Sequence, residues 1–283
     1  MTTADTLQAE ARERPRMAVV AGVAALLTLV GGLIGRVGVN PPKNLPAELL
    51  DYHRHPTGQY IATGCSVIAA LLVLLVLDFL LRAARARNPQ LPWQLRPLVW
   101  VGGIGVAALV VASQIALAVD AAHFATHGSQ TYEEARKAID AGVPVVFGLL
   151  FQLAFAAAIV LISIQAMRVG LLARWLGYVG AVSGVLFLLP LVPIPIVQAY
   201  WLGALALLFA GRLPNIGAPP AWQSGEAMPW PSAAEQRERR VRDAEARRAD
   251  SGGDVAEGSV AEPEPVADGA GDQGARRKKR KRR

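Results

Sequence analysis

Long apolar runs without any charged residue alternate along this chain with short charged segments. Crossing ~30 Å of hydrocarbon takes ~20 helical residues at ~1.5 Å each. Four of the runs have the length of one such helix, and the fifth is longer. The runs are 17–35, 60–77, 97–119, 141–167 and 175–211. The pattern predicts an all-α integral membrane bundle.

The fifth run has 37 residues, and three prolines fall near its middle. Proline lacks an amide donor and disfavours helix in the residue before it. We therefore expect two short helices joined by a proline-centred turn at Val192–Pro195, although a re-entrant pair is the alternative. The six predicted spans are about 17–35, 60–81, 97–119, 143–167, 175–190 and 196–211.

The distribution of basic residues predicts the orientation. Short loops rich in Lys and Arg stay in the cytoplasm. The segment before span 1, the loops after spans 2 and 4, and the residue after span 6 together carry ten basic residues, against five in the other loops. Residues 1–16 are therefore expected to be a cytoplasmic segment, with both termini cytoplasmic.

Composition supports this class and excludes others. Of 283 residues, 53% are hydrophobic and 18% are charged, and a single cysteine rules out a disulfide framework. The sequence has no His-Glu-x-x-His motif and no phosphate-binding loop. These features argue against an ordinary soluble enzyme.

All four histidines lie in the two long loops assigned to the outside. If the third span continues as helix, Asp120 and two histidines share one face, and histidines of the other loop could complete a shell for zinc or another divalent metal. The alternative is a set of interfacial histidines that never meet. The candidate ligands are His53, His55, Asp120, His123 and His127. No other cofactor is expected.

Polar and small residues inside the spans suggest how the helices pack. Asp78 stands four residues before Arg82, which predicts a local ion pair. Gly180 and Gly184 share a helix face and predict a close helix contact. The uncharged polar positions are expected to form interhelical hydrogen bonds, with a solute pathway as the alternative. They are Ser113, Gln114, Gln152, Ser163, Gln165, Ser183 and Gln198.

From residue 213 the chain becomes polar, and we expect a cytoplasmic tail. Trp222 and Trp230 stand among prolines, which suggests a segment that lies along the membrane surface. A short charged helix is predicted at about 233–249 and an acidic disordered stretch at 250–272.

The last eight residues, 276–283, are all basic. Each base near an anionic leaflet contributes ~1 kcal/mol, screened by salt. We expect this run to bind anionic lipid headgroups. Binding to the acidic stretch or to a protein partner are alternatives, and nucleic acid is not the expected partner. The residues are Arg276, Arg277, Lys278, Lys279, Arg280, Lys281, Arg282 and Arg283.

Three segments carry a resemblance to a known group. They are Arg168-Val-Gly-Leu-Leu with Arg174-Trp-Leu-Gly, Pro195-Ile-Val-Gln-Ala-Tyr-Trp, and Pro219-Pro-Ala-Trp222 with Pro229-Trp-Pro231. Residues 145–283 thereby resemble uncharacterised actinobacterial multi-pass membrane proteins, loosely DUF4386-like, that end in a basic run. The resemblance implies a bacterial plasma membrane and assigns no activity.

The sequence therefore predicts a multi-pass protein that is a non-enzymatic membrane anchor or interaction protein with a lipid- or partner-binding tail. A small-solute transporter or channel component is one alternative. A membrane enzyme with an outward His/Asp metal site is another.

Overall fold

In the computed structural model the described residues form helices joined by turns and loops, and they contain no strand. It describes 3–34, 45–127, 131–135, 145–188, 195–213, 219–230, 235, 237–238 and 241–246. The helices are α1 Thr3–Ile34, α2 Leu45–Arg54, α3 Pro56–Arg87, α4 Leu95–Thr126, α5 Val145–Arg168, α6 Arg174–Leu188, α7 Ile196–Phe209 and α8 Pro220–Ser224.

Four helices are long and apolar enough to cross a membrane, namely α1, α3, α4 and α5. This confirms the all-α membrane class. Large apolar side chains also point outward from these helices, and Val19, Ile115 and Leu149 are each more than half exposed. In water such a surface would be costly, whereas in lipid it is the normal exterior of a bundle.

Helices α6 and α7 are shorter, with 15 and 14 residues, respectively. Pro195 directly precedes α7, as the proline pattern predicts. Most of the predicted turn lies outside the described residues, so neither a crossing hairpin nor a re-entrant pair is established.

The long helices extend beyond the predicted spans. Helix α1 begins at Thr3 and contains Pro15, so most of the predicted N-terminal segment continues the first helix. Helices α3 and α4 each have 32 residues, which at ~1.5 Å per residue makes them about 48 Å long. They are therefore longer than the ~30 Å thickness of a hydrocarbon layer.

Contacts show that consecutive long helices run antiparallel. Glu10 near the start of α1 contacts Arg87 at the end of α3, and Gly31 near the end of α1 faces Ser66 in the first third of α3. The α4–α5 pair behaves likewise, since Gly102 lies against Phe155 and Gly148 against Leu109. We call the end where α1, α4 and α6 begin the N-proximal end, and the other the N-distal end.

Glycines allow the closest helix crossings. A Cβ built on Gly102 would lie 2.7 Å from the Phe155 backbone nitrogen. On Gly184 it would lie 2.9 Å from the Ala156 carbonyl oxygen, and Gly180 leaves room for Ser163 and Trp201. The close contact predicted for Gly180 and Gly184 is confirmed, between α6 and its neighbours.

Residues 231–283 form a separate unit. Within it, residues 241–246 are helical, and Arg242 Nη2 lies 3.7 Å from Glu238 Oε2. These two residues are four positions apart, which is the separation expected for ion pairs along the predicted charged helix. The acidic stretch and the basic run at 276–283 lie outside the described residues.

Candidate functional site

The N-proximal end is organised around the buried guanidinium of Arg87. Its side chain is 1% exposed, and its Nη2 atom lies 2.7 Å from Glu10 Oε2. Nη1 donates to Glu10 Oε1 at 2.9 Å and to the Ala83 carbonyl at 2.8 Å, while Nε donates to the Ala221 carbonyl at 3.0 Å. One side chain thereby joins α1, α3 and α8.

A second ionic group centres on Asp78 in α3. Its Oδ2 lies 3.2 Å from Arg82 Nε, which confirms the predicted local pair. Its Oδ1 also accepts from Arg96 Nε and from Trp100 Nε1, both at 3.2 Å. Sequence reasoning missed these α4 partners, because their proximity depends on how α3 packs against α4. With three donors on one nearly buried carboxylate, the interaction is a structural link between helices.

The segment 219–230, which we call the clamp, is fastened to this same end. Trp222 is 6% exposed and packs against the rings of Phe79 and Phe209, which also contact each other. Its indole Nε1 donates to the Leu171 carbonyl at 3.0 Å. Arg87 stacks on the ring at 5.1 Å from its centroid. The Trp222 ring therefore fills a core position, while the expected location of the surrounding segment along the membrane surface stays a prediction.

The clamp also binds the α5–α6 connection through its backbone. The Met228 amide donates to the Val169 carbonyl at 3.3 Å, and Arg174 Nη2 donates to the Trp230 carbonyl at 2.9 Å. Gly170, with φ of 82°, allows the Met228 carbonyl to pack against it. The clamp is thus held at its start, middle and end.

The candidate metal ligands at the N-distal end form pairs. His55 Nδ1 lies 3.1 Å from Asp51 Oδ1, and both side chains are largely solvent-accessible. Helix α4 continues past Asp120 as expected, but it ends at Thr126, and His127 stacks on His123 with centroids 4.9 Å apart. Within the described residues no three His, Cys, Asp or Glu side chains could hold a metal ion. The structure does not bring the proposed ligand set together.

The two outer loops nevertheless meet through apolar contacts. Leu49 of α2 and Ala135 pack with Ala121 and Phe124 of α4. Beside them, Gln114 Nε2 donates to the Tyr52 hydroxyl. Burial raises the pKa of Tyr52, and electrostatic interaction with Tyr60 acts in the same direction.

A cavity of about 390 Å³ lies inside the bundle, toward the N-distal end. All six apolar helices contribute to its wall. Ser183 lines it and is 1% exposed, yet its hydroxyl has no hydrogen-bond partner among the described residues. Ser163 is buried without a partner as well. The sequence predicts interhelical hydrogen bonds for the polar residues of the spans. Among the described residues, the hydroxyls of Ser163 and Ser183 form none.

In comparisons with known proteins, the chain matches no family model, no curated protein and no solved structure. The class defined by fold and contacts is an all-helical membrane-type bundle with a clamped segment at its N-proximal end.

Proposed function

We propose that the chain crosses a bacterial plasma membrane six times with both termini in the cytoplasm. The antiparallel order of the helices supports an even number of crossings, since α1 begins at the end of the bundle where the clamp follows α7. Arginines concentrate at that end, which favours the cytoplasmic side. They include Arg14, Arg82, Arg85, Arg87, Arg96 and Arg174.

Exposed aromatic residues support a membrane–water interface at the N-proximal end. Trp93 is 71% exposed and Trp175 is 36% exposed, and both lie at the N-proximal end. Tryptophan concentrates at the headgroup level of membranes. Helices α6 and α7 measure about 22 Å at ~1.5 Å per residue, so a thinner bilayer around them would accommodate the hairpin.

Within that topology, we propose that the protein is a non-enzymatic anchor that holds its C-terminal tail at the cytoplasmic face. The clamp carries this proposal. If the tail needed only to be tethered to the membrane, a flexible linker after α7 would be sufficient. Here, instead, Trp222, Arg87 and Arg174 fasten the chain to the bundle just before the tail begins at Pro231.

The partner proposed for the tail is the anionic leaflet, bound by the basic run at 276–283. Eight adjacent bases attract anionic headgroups at ~1 kcal/mol each at low salt. Covalent attachment to a membrane-spanning bundle raises the effective concentration of the basic run at the lipid surface compared with a free peptide.

The test uses the full chain in lipid nanodiscs. Cys65→Ser removes the single cysteine, and Gly274→Cys then carries a fluorophore beside the basic run. We expect dye-labelled lipid to quench the fluorophore in discs with anionic lipid, and we expect high salt to reverse the quenching.

The matched control replaces all eight terminal bases with glutamine, which keeps the length and removes the charge. In both neutral and anionic discs, this variant should be quenched only as weakly as the unaltered chain is in neutral discs. Equal quenching of the unaltered tail in neutral and anionic discs would refute binding to anionic lipid and leave a protein partner as the alternative for the tail. The transporter and metal-enzyme alternatives stay predictions.

A further inference from the structure

The cavity has the properties of a binding site rather than of a packing defect. Its volume of about 390 Å³ falls within the usual range for small-molecule pockets, ~300–1,000 Å³. Helices that associate in lipid normally pack closely, as the glycine contacts of α4 and α6 do here. A space of this size between six helices therefore needs an occupant.

The polar groups around the cavity have unused hydrogen-bonding capacity. The Ser183 hydroxyl is buried without a partner. Gln152 and Gln198 line the same space from α5 and α7, and both side chains are partly buried. By contrast, the hydroxyls of Thr28 and Ser66 donate to carbonyls of their own helices, at 2.7 and 2.9 Å. Buried groups without partners destabilise a fold unless a bound molecule satisfies them.

The rest of the wall determines what the occupant can be. Among the residues that the structure describes, no charged side chain lines the cavity, so an ion would lose its hydration there without a counter-charge. Apolar side chains of Val106, Val110, Phe155 and Phe187 form much of the surface. Water could satisfy the serine but would contact this apolar wall at a cost. A molecule with an apolar body and a small uncharged polar group satisfies both parts.

We propose that the cavity binds one uncharged, lipid-soluble molecule that carries a carbonyl or hydroxyl group. Its apolar body fills the space beside Val106, Val110 and Phe155. Its oxygen accepts a hydrogen bond from Ser183 or from the carboxamide of Gln152 or Gln198, and a hydroxyl can also donate to these groups. Such a molecule dissolves in the bilayer and reaches the cavity from the lipid.

Two kinds of molecule share this chemistry, a quinone with an alkyl tail and a diacylglycerol. The test therefore measures binding of decyl-benzoquinone and dioctanoylglycerol to the purified full chain in detergent, by native mass spectrometry with titration. Decanoate, ionised at the working pH, is the charged control. We expect at least one neutral probe to saturate at one molecule per chain and decanoate not to bind; the probe that binds identifies the head group.

Two serine variants form a matched pair. Ser183→Ala removes the hydroxyl of a residue that lines the cavity, and Ser163→Ala removes an equally buried hydroxyl of a residue outside the lining; neither hydroxyl has a partner among the described residues. Neither should lower the thermal stability of the ligand-free protein, because neither hydroxyl has a partner to lose. We expect Ser183→Ala to weaken probe binding roughly three- to tenfold, the effect of one hydrogen bond, and Ser163→Ala to leave it unchanged.

An occluding variant provides an independent check. Ala70 lines the cavity from α3, and Ala70→Phe places a ring in the space. We expect it to abolish binding of both neutral probes while the chain stays folded by circular dichroism. Saturable binding of neither probe, or equal weakening by the two serine variants, would overturn the proposal. Because the tail is not involved, these results are separate from those of the nanodisc test.

Discussion

Arg87 binds Glu10 through two hydrogen bonds, 2.9 and 2.7 Å long, while its third nitrogen donates to the backbone of the clamp. The two residues are 77 positions apart in the chain. This pair links the beginning of the first helix to the end of α3 and to the segment that precedes the tail. It therefore couples the integrity of the bundle end to the position of the clamp.

Replacing Arg87 with leucine should destabilise the protein by roughly 3 kcal/mol, because the change leaves the Glu10 carboxylate largely buried without its partner. Arg87→Lys should recover only part of the loss, since an ammonium cannot make the paired hydrogen bonds of a guanidinium. Thermal unfolding in detergent micelles, followed by circular dichroism, measures both changes.

The control for this pair is Arg85→Gln on the same helix. Arg85 donates to the Pro92 carbonyl at 3.2 Å and forms no ion pair with a described residue. Its replacement should cost well under half as much stability. Equal losses for the two positions would show that the Glu10 contact contributes little.

Trp222→Ala should release the clamp while the transmembrane helices stay folded. Burial of this ring and its bond to Leu171 are lost together, and replacing a buried tryptophan with alanine typically costs ~3–5 kcal/mol. Limited proteolysis of the protein in nanodiscs should then cut within 219–230 much faster than in the unaltered chain. Trp93→Ala, at an exposed position of the same end, should leave the cleavage rate unchanged.

The clamp also shows where sequence reasoning stops. Apolar runs and the proline break predicted all six apolar helices, because a span is a local property of length and charge. The position of Trp222 was not predictable in this way, since tryptophan suits both a headgroup layer and a buried core. Its partners Phe79 and Phe209 lie far away in sequence. The same holds for Arg87. The number of basic residues in its loop predicts a cytoplasmic location, but it does not predict the ion pair with Glu10.

The candidate metal site failed to assemble for a related reason. Its spacing argument required α4 to continue through His127, but the helix ends one residue earlier at Thr126. The first histidine-bearing loop does reach α4, yet it does so through Leu49 rather than through a histidine. Periodicity predicts which residues share a helix face, but it does not predict where two loops meet.

Two glycine variants test the helix crossing between α4 and α5. Gly102→Ala should destabilise the protein by about 1–3 kcal/mol, because the new methyl group would lie 2.7 Å from a backbone atom of Phe155 that cannot rotate away. Gly64→Ala adds the same group where nothing lies within 4 Å. It should be neutral or stabilising by up to ~1 kcal/mol, since alanine favours helix. The same detergent melts compare both, and a harmless Gly102→Ala would contradict the close crossing.

The raised pKa of Tyr52 predicts a dependence of stability on alkaline pH. In the folded protein burial disfavours the phenolate, so the folded state retains the proton more tightly than the unfolded state. The stability linked to this proton is present below pH 10.0, the ordinary value, and is lost as pH rises through the raised pKa of the folded state. Tyr52→Phe should flatten the decline of melting temperature above pH 10.0. An unchanged slope would mean that another group titrates.

The proposed orientation can be tested by cysteine labelling in a Cys65→Ser background. Gln8 is exposed near the start of α1, and His53 is exposed on α2 at the opposite end of the bundle. In intact cells a membrane-impermeant maleimide should label His53→Cys and spare Gln8→Cys. Permeabilised cells should label both, which controls for reactivity. The reverse pattern would invert the topology, and it would place the clamp and the basic tail outside the cell, where the inner leaflet could not be their partner.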